Sequence, residues 1–309
     1  MANLLLVLSI FWGDPQKGSG LRPDEINIDV LGGSACRNEK VLFSFHRRGG
    51  VAGNLGLFSF LTGRVTILDD GRIKAYAPFL VKTPSGFGVI DRITLNVFFL
   101  DEKGNFEDKV SLPSFSAWPE GMALEAVYSD GLERSLATLK QAGKDRYLVG
   151  WVNFENRSFN ALMNRTCSDS FRHRWLPFGA EFLEVVSETG QIDLVSAGAF
   201  QAKRNFYPKQ AEVFRDKKRF PHLSKRLPYL TILGTSAFPI EGTLFFQWLE
   251  TRDSMVPEGL TEIKKSLVLT SESVHFEDQH TLGAWKGEKI VFDWGEWVLK
   301  VLPMSGQPR

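Results

Sequence analysis

The stretch ITLNVFFLDEKGNFEDKVSL, residues 93–112, decides the fold class. Its two ends, 93–100 and 106–112, are strand-like runs, and the five residues between them are Asp101-Glu102-Lys103-Gly104-Asn105. β-Branched and aromatic residues suit a pleated surface, whereas Asp, Gly and Asn suit turns. The pattern reads as an antiparallel hairpin, and it recurs. Residues 65–68 and 72–76 flank Asp69-Asp70-Gly71, and residues 182–186 and 192–195 flank Ser187-Glu188-Thr189-Gly190. A glycine in such a turn takes positive φ at little cost.

The tetrapeptide Leu-Phe-Ser-Phe occurs twice, at 42–45 and 57–60. Strand alternation predicts that the two Phe of each copy share one sheet face, with Leu and Ser on the other. The glycine-rich residues 46–54 between the copies predict a hairpin with a long tip. At the C-terminus, EKIVFDWGEWVLKVLP (residues 288–303) reads as two strands, or as one strand with a glycine bulge. Its tryptophans read as core. Residues 4–12, LLLVLSIFW, read as a buried first strand ended by Gly13 and Pro15. That run is far short of the about 20 apolar residues a transmembrane helix needs, and it lacks the basic lead of a secretory signal.

About 17 strand candidates stand against three helices, at 130–142 with Asp130 as cap, at 208–219 opened by Pro208, and at 258–265. The expected fold is therefore mainly β, with antiparallel sandwich-like or barrel-like sheets and two or three short helices. A β-propeller is the alternative, disfavoured by the lack of a fixed blade period. With 309 residues, 43% of them apolar and 24% charged, the chain is globular. One β-rich unit over 1–309 is expected. A split into 1–155 and 175–309, at the irregular stretch 153–176, is the alternative.

The net charge of +1 conceals a basic island. Residues 200–230, FQAKRNFYPKQAEVFRDKKRFPHLSKRLPYL, hold nine Lys or Arg and two acids. The basic residues are Lys203, Arg204, Lys209, Arg215, Lys217, Lys218, Arg219, Lys225 and Arg226. On the expected helix, Arg215, Lys218 and Arg219 share one face. Phe206 and Tyr207 stand among the cations as candidate base-stacking platforms. Lys and Arg neutralise phosphates, so the segment reads as a site for a polyanion, single-stranded nucleic acid first, RNA included. Arg172 and Arg174, beside Arg165 and His173, form a second cluster, and Arg47 and Arg48 in the glycine-rich tip form a third.

The expected function is thus a non-enzymatic binding or assembly protein. One alternative is a structural subunit of a viral or phage particle, or of another homo-oligomer, whose basic segment meets the acidic C-terminal third of a neighbour. Another is a carbohydrate-active hydrolase using paired carboxylates such as Asp293 and Glu296 beside Trp294 and Trp297.

Nucleotide and nucleophile motifs fail at the residue level. Gly49–Gly56 lacks the Lys-Ser/Thr of a phosphate loop, and neither Gly32-Gly33-Ser34-Ala35-Cys36 nor Gly234-Thr235-Ser236-Ala237 completes a nucleophile elbow. His275 and His280 lack the spacing of a zinc helix, so no metal or cofactor is expected. Two distant cysteines, Cys36 and Cys167, and no convincing signal favour a cytoplasmic or virion-associated protein.

Overall fold

A computed structural model describes residues 21–25, 30–46, 54–76, 78–129, 134–167, 173–178, 180–186, 191–196, 202–205, 237–240, 243–250, 263–269, 274–277, 279–293, 296 and 298–304. The hairpin at 93–112 forms with a three-residue offset at its start. Its strands are Asn96–Asp101 and Phe106–Ser111, and Gly104 in the turn takes a φ of +84°.

The unit repeated around the molecule is a four-stranded antiparallel meander. The first sheet holds β1 (Val30–Arg37), β2 (Lys40–His46), β3 (Asn54–Ser59) and β4 (Arg64–Leu68). The second holds β5 (Phe79–Lys82), β6 (Gly86–Ile90), β7 (Asn96–Asp101) and β8 (Phe106–Ser111). The third holds β9 (Met122–Ser129), β10 (Arg134–Gln141), β11 (Arg146–Asn153) and β12 (Ser158–Thr166). The fourth holds β13 (His173–Phe178), β14 (Glu181–Val186), β15 (Gln191–Val195) and β16 (Ala202–Asn205). The fifth holds β17 (Ala237–Ile240), β18 (Thr243–Glu250), β19 (Ile263–Leu269) and β20 (Val274–Glu277). The sixth has three strands, β21 (His280–Trp285), β22 (Glu288–Asp293) and β23 (Val298–Pro303).

Leading strands of neighbouring sheets touch: β1 meets β5, β5 meets β9, β9 meets β13, and β21 returns to β1. The sheets are the blades of a β-propeller, the alternative of the sequence reading, rather than a sandwich. A 3-10 turn at Pro23–Glu25 packs on β23, and Leu21 bridges Val65 of β4, so the N-terminal segment spans the junction where the ring closes.

The core lies in the seams between sheets, because strands such as β2, β3 and β10 bury both faces. Phe43, Phe45, Phe58 and Phe60 of the first sheet pack with Leu282, Ile290, Phe292 and Leu299 of the sixth. Leu42 and Leu57 point the other way, into the seam with the second sheet, among Phe87, Val89 and Phe98. The two Leu-Phe-Ser-Phe copies pair as β2 and β3 and divide by parity as alternation requires. The seam between second and third sheets holds Val97, Phe99, Phe115, Ala137 and Leu139, and that between third and fourth holds Leu136, Tyr147, Val149 and Trp175.

Three local expectations are corrected. Most of the helix expected at 130–142 is strand β10, flanked on both sides by β9 and β11. Residues Ser135 to Leu139 are all buried, Leu136 into one seam and Ala137 and Leu139 into the next. A strand buried on both faces has no polar alternation, and a continuous apolar run does not separate it from a helix. The helix expected at 258–265 meets β19, which begins at Ile263. Residues 72–76 are not the second arm of a hairpin. The Asp70 carboxylate accepts the Arg72 backbone N–H at 3.0 Å, and Asp91 accepts the N–H of Tyr76 at 2.7 Å, so side chains take the donors that a ladder would use. The C-terminal stretch is a hairpin of β22 and β23. The first strand expected at 4–12, the helix expected at 208–219, the tip 47–53, and Trp294, Gly295 and Trp297 lie outside the described residues.

Candidate functional site

Each meander places its ends by simple counting. The tip joining its second and third strands lies at the same end as the link from its fourth strand to the next sheet. The strand ends bounding 47–53 (His46 and Asn54), 168–172 (Cys167 and His173) and 206–236 (Asn205 and Ala237) therefore all belong to one face of the propeller. The opposite face carries the turns at 38–39, 60–63 and 154–157.

The basic residues of the sequence reading map onto this frame as follows. Lys203 and Arg204 are in β16, and Arg204 pairs with Leu194. Lys209, Arg215, Lys217, Lys218, Arg219, Lys225 and Arg226, with Phe206 and Tyr207, belong to the connection 206–236, outside the described residues. That connection is the longest of the five between sheets; the others are 69–78, 112–121, 167–172 and 278–279. Arg47, Arg48 and Arg172 also lie outside the described residues, each next to a strand end on the same face. Arg174 differs from the others. The stretch 153–176, expected to be irregular, holds strand β12 and the start of β13, and Arg174 is 6% exposed, with its Nε lacking a hydrogen-bond partner among the described residues. Burial withdraws this guanidinium from any docking surface.

Just beneath the same face, at the junction of the third and fourth sheets, lies a cluster of polar groups that sequence reasoning missed. His173 opens β13, and Glu184 is in β14 opposite Trp175, which places it diagonally across from His173 on the same side of the sheet. His173 Nδ1 lies 2.9 Å from Glu184 Oε1, and both residues are buried. Glu184 Oε2 pairs with Arg165 of β12 at 3.4 Å. Cys167 follows β12, its backbone N–H donating to the Asp145 carbonyl at 2.9 Å. Sγ of Cys167, a ring nitrogen of His173 and a carboxylate oxygen of Glu184 lie within 4.8 Å of one another.

The walls of this cluster are aromatic. The His173 ring stacks on Trp175 at 5.9 Å between centroids and meets the edge of Tyr147 at 5.5 Å. Tyr147 Oη accepts the backbone N–H of His173 at 3.3 Å. Lys140 lies over the Tyr147 ring and pairs with Asp145 at 3.2 Å. Burial pushes the Tyr147 phenol above its usual pKa, against the lowering pull of the His173 N–H and of Lys140. In the sequence, His173 sits inside a basic triplet and Glu184 sits in an apolar strand, and only the pairing of β13 with β14 joins them.

Other candidates resolve into structural roles. Ser34 is in β1, and its Oγ donates to the Leu282 carbonyl at 2.8 Å, tying the first sheet to the sixth. Cys36 donates to the Ala284 carbonyl at 3.5 Å, and burial pushes its thiol pKa up. Asp293 and Glu296 both accept from Lys300 Nζ, at 2.8 and 2.7 Å. His275 and His280 lie on separate strands, and burial alone lowers the His280 pKa to about 3. Among the described residues no helix is long and apolar enough to cross a membrane.

No family model and no curated protein matches the chain. Among solved structures, a Bacteroides fragilis protein described as exported aligns with a TM-score of 0.49 and 12% identity, over 88% of this chain and 82% of that one. The β-propeller domain of Cps50 (Swd1) from Myceliophteria thermophila aligns with a TM-score of 0.45 and 10% identity, over 91% of this chain and 100% of that one. Kuenenia stuttgartiensis hydrazine synthase aligns with a TM-score of 0.43 and 12% identity, over 94% and 80%.

Proposed function

We propose that this chain is a non-enzymatic binding protein in which a propeller holds a polyanion, single-stranded nucleic acid first, on the face that bears the connection 206–236. The observation that supports this is topological. Three basic stretches far apart in sequence, 47–48, 172 and 203–226, join strand ends of one face. A long connection on a rigid sheet scaffold is where binding residues accumulate. Nine cations against two acids within 31 residues repel one another, and a phosphate backbone relieves that repulsion. Arg215, Lys218 and Arg219 contact phosphates in this account, and Phe206 or Tyr207 stacks on a base.

The test is a titration of the full chain with a fluorescent single-stranded RNA at several salt concentrations. Six or more phosphate contacts on a single strand, at a slope of about 0.7 each, weaken binding by about 300-fold or more between 50 and 200 mM salt. Replacing Arg215, Lys218 and Arg219 with Gln lowers the slope of log affinity against log salt by about 2. Binding that ignores salt, or a slope unchanged in the triple variant, overturns the proposal. Equal competition by heparin would reassign the ligand from RNA to polyanions in general.

A further inference from the structure

We propose that Cys167, His173 and Glu184 form a binding site for a borderline-soft divalent metal ion, Zn²⁺ first, at the junction of the third and fourth sheets. The site is independent of the basic connection. Its three donor atoms converge within 4.8 Å from separate pieces of chain: the end of β12, the start of β13 and the middle of β14. A tetrahedral Zn²⁺ bound to sulfur at about 2.3 Å and to nitrogen and oxygen at about 2.0–2.2 Å wants donors about 3.5 Å apart. A separation at the 4.8 Å limit has to close by about 1.3 Å, and the His173–Glu184 pair has to open slightly.

The donor set selects the metal. Thiolate and imidazole favour Zn²⁺ and its neighbours over Mg²⁺ or Ca²⁺, which prefer all-oxygen cages. Binding releases the Cys167 thiol proton to solvent and replaces the His173 Nδ1 to Glu184 Oε1 contact with bonds to the ion, the shared proton leaving Nδ1 so that the imidazole binds as its neutral Nε2–H tautomer. The thiolate and the carboxylate cancel the ion's two charges, so the nearby Arg165 and Lys140 do not oppose a neutral complex. Three protein donors leave a fourth position open to water or an outside ligand.

The surroundings hold each donor from outside. Arg165 occupies Glu184 Oε2 and leaves Oε1 turned toward His173. Tyr147 and Trp175 fix the imidazole plane, and the Asp145 carbonyl anchors the backbone of Cys167. Such outer contacts orient ligands and set affinity. Ion pairing or a hydrogen-bonded His–Glu dyad alone would not require a thiol at the same point.

The probe is Co²⁺ added to the full chain, which gives a thiolate-to-cobalt charge-transfer band in the near ultraviolet when a cysteine binds. The band is expected at one equivalent in the wild type and in Cys36→Ser, and Zn²⁺ displaces it. Cys167→Ser abolishes it, and Glu184→Gln weakens or abolishes it. Arg165→Gln, which removes only an outer partner, weakens Co²⁺ binding by about 10- to 100-fold. Absence of the band in the wild type, or its persistence in Cys167→Ser, overturns the proposal. Should Cys167→Ser fail to fold, alkylation of the wild type decides instead. Zn²⁺ slows iodoacetamide labelling of Cys167 if the site exists, and leaves the rate unchanged if it does not.

Discussion

Two seams of the same propeller differ in what accompanies their apolar packing. Between the first and sixth sheets, Phe43, Phe45, Phe58 and Phe60 meet Leu282, Ile290, Phe292 and Leu299. Between the third and fourth, Tyr147 and Trp175 enclose His173, Glu184 and Cys167. Both seams join neighbouring blades, so stability alone would favour hydrocarbon in each. Burying titratable groups costs free energy that only mutual pairing offsets. The polar seam also opens on the face that carries the basic connections, whereas the apolar seam lies where the ring closes.

The largest expected effect lies in the apolar seam. Phe292→Ala removes a fully buried ring from the closing junction and costs about 3–5 kcal/mol in urea unfolding. A cost near zero would mean that the seam carries no such burden. In the polar seam, Glu184→Met alone removes the carboxylate that meets both buried His173 and Arg165 and costs about 1–3 kcal/mol, read by the same assay. The double variant His173→Leu with Glu184→Met recovers most of that loss, because a buried polar pair is replaceable by apolar packing. Failure to recover would make the pair a structural necessity and erase the contrast between the seams.

The last effect concerns His280 and is read as a slope against pH. His280, at the start of β21, has its pKa lowered to about 3 by burial, from 6.5. The unfolded chain takes up the proton first, so the stabilisation from a neutral His280 is complete above about pH 6.5 and declines as pH falls toward 3. His280→Gln flattens the dependence of unfolding free energy on pH across that window. An unchanged slope would assign the acid sensitivity to other groups.

The sequence carried the strands better than their arrangement. Alternation in the two Leu-Phe-Ser-Phe copies placed Phe43 and Phe58 in one seam and Leu42 and Leu57 in another, since a period of two survives any tertiary context. The propeller stayed hidden because the leading strands begin at 30, 79, 122, 173, 237 and 280, intervals too uneven to read as a period. Strand β10 read as a helix because Ser135 to Leu139 are buried on both faces. Arg174 read as a surface cation because local charge says nothing of which side of β13 faces a neighbouring sheet. The polar cluster was invisible for a related reason. Cys167, His173 and Glu184 meet only after β13 pairs with β14 and the third sheet packs on the fourth.

The central claim is that one face of the propeller takes the polyanion. Ultraviolet crosslinking of single-stranded RNA to the full chain, followed by mapping of the linked peptides, tests it most directly. The account predicts links in 47–53, 168–172 and 206–236, whose flanking strands end on that face. Links concentrated at 60–63 or 154–157, on the opposite face, would contradict it.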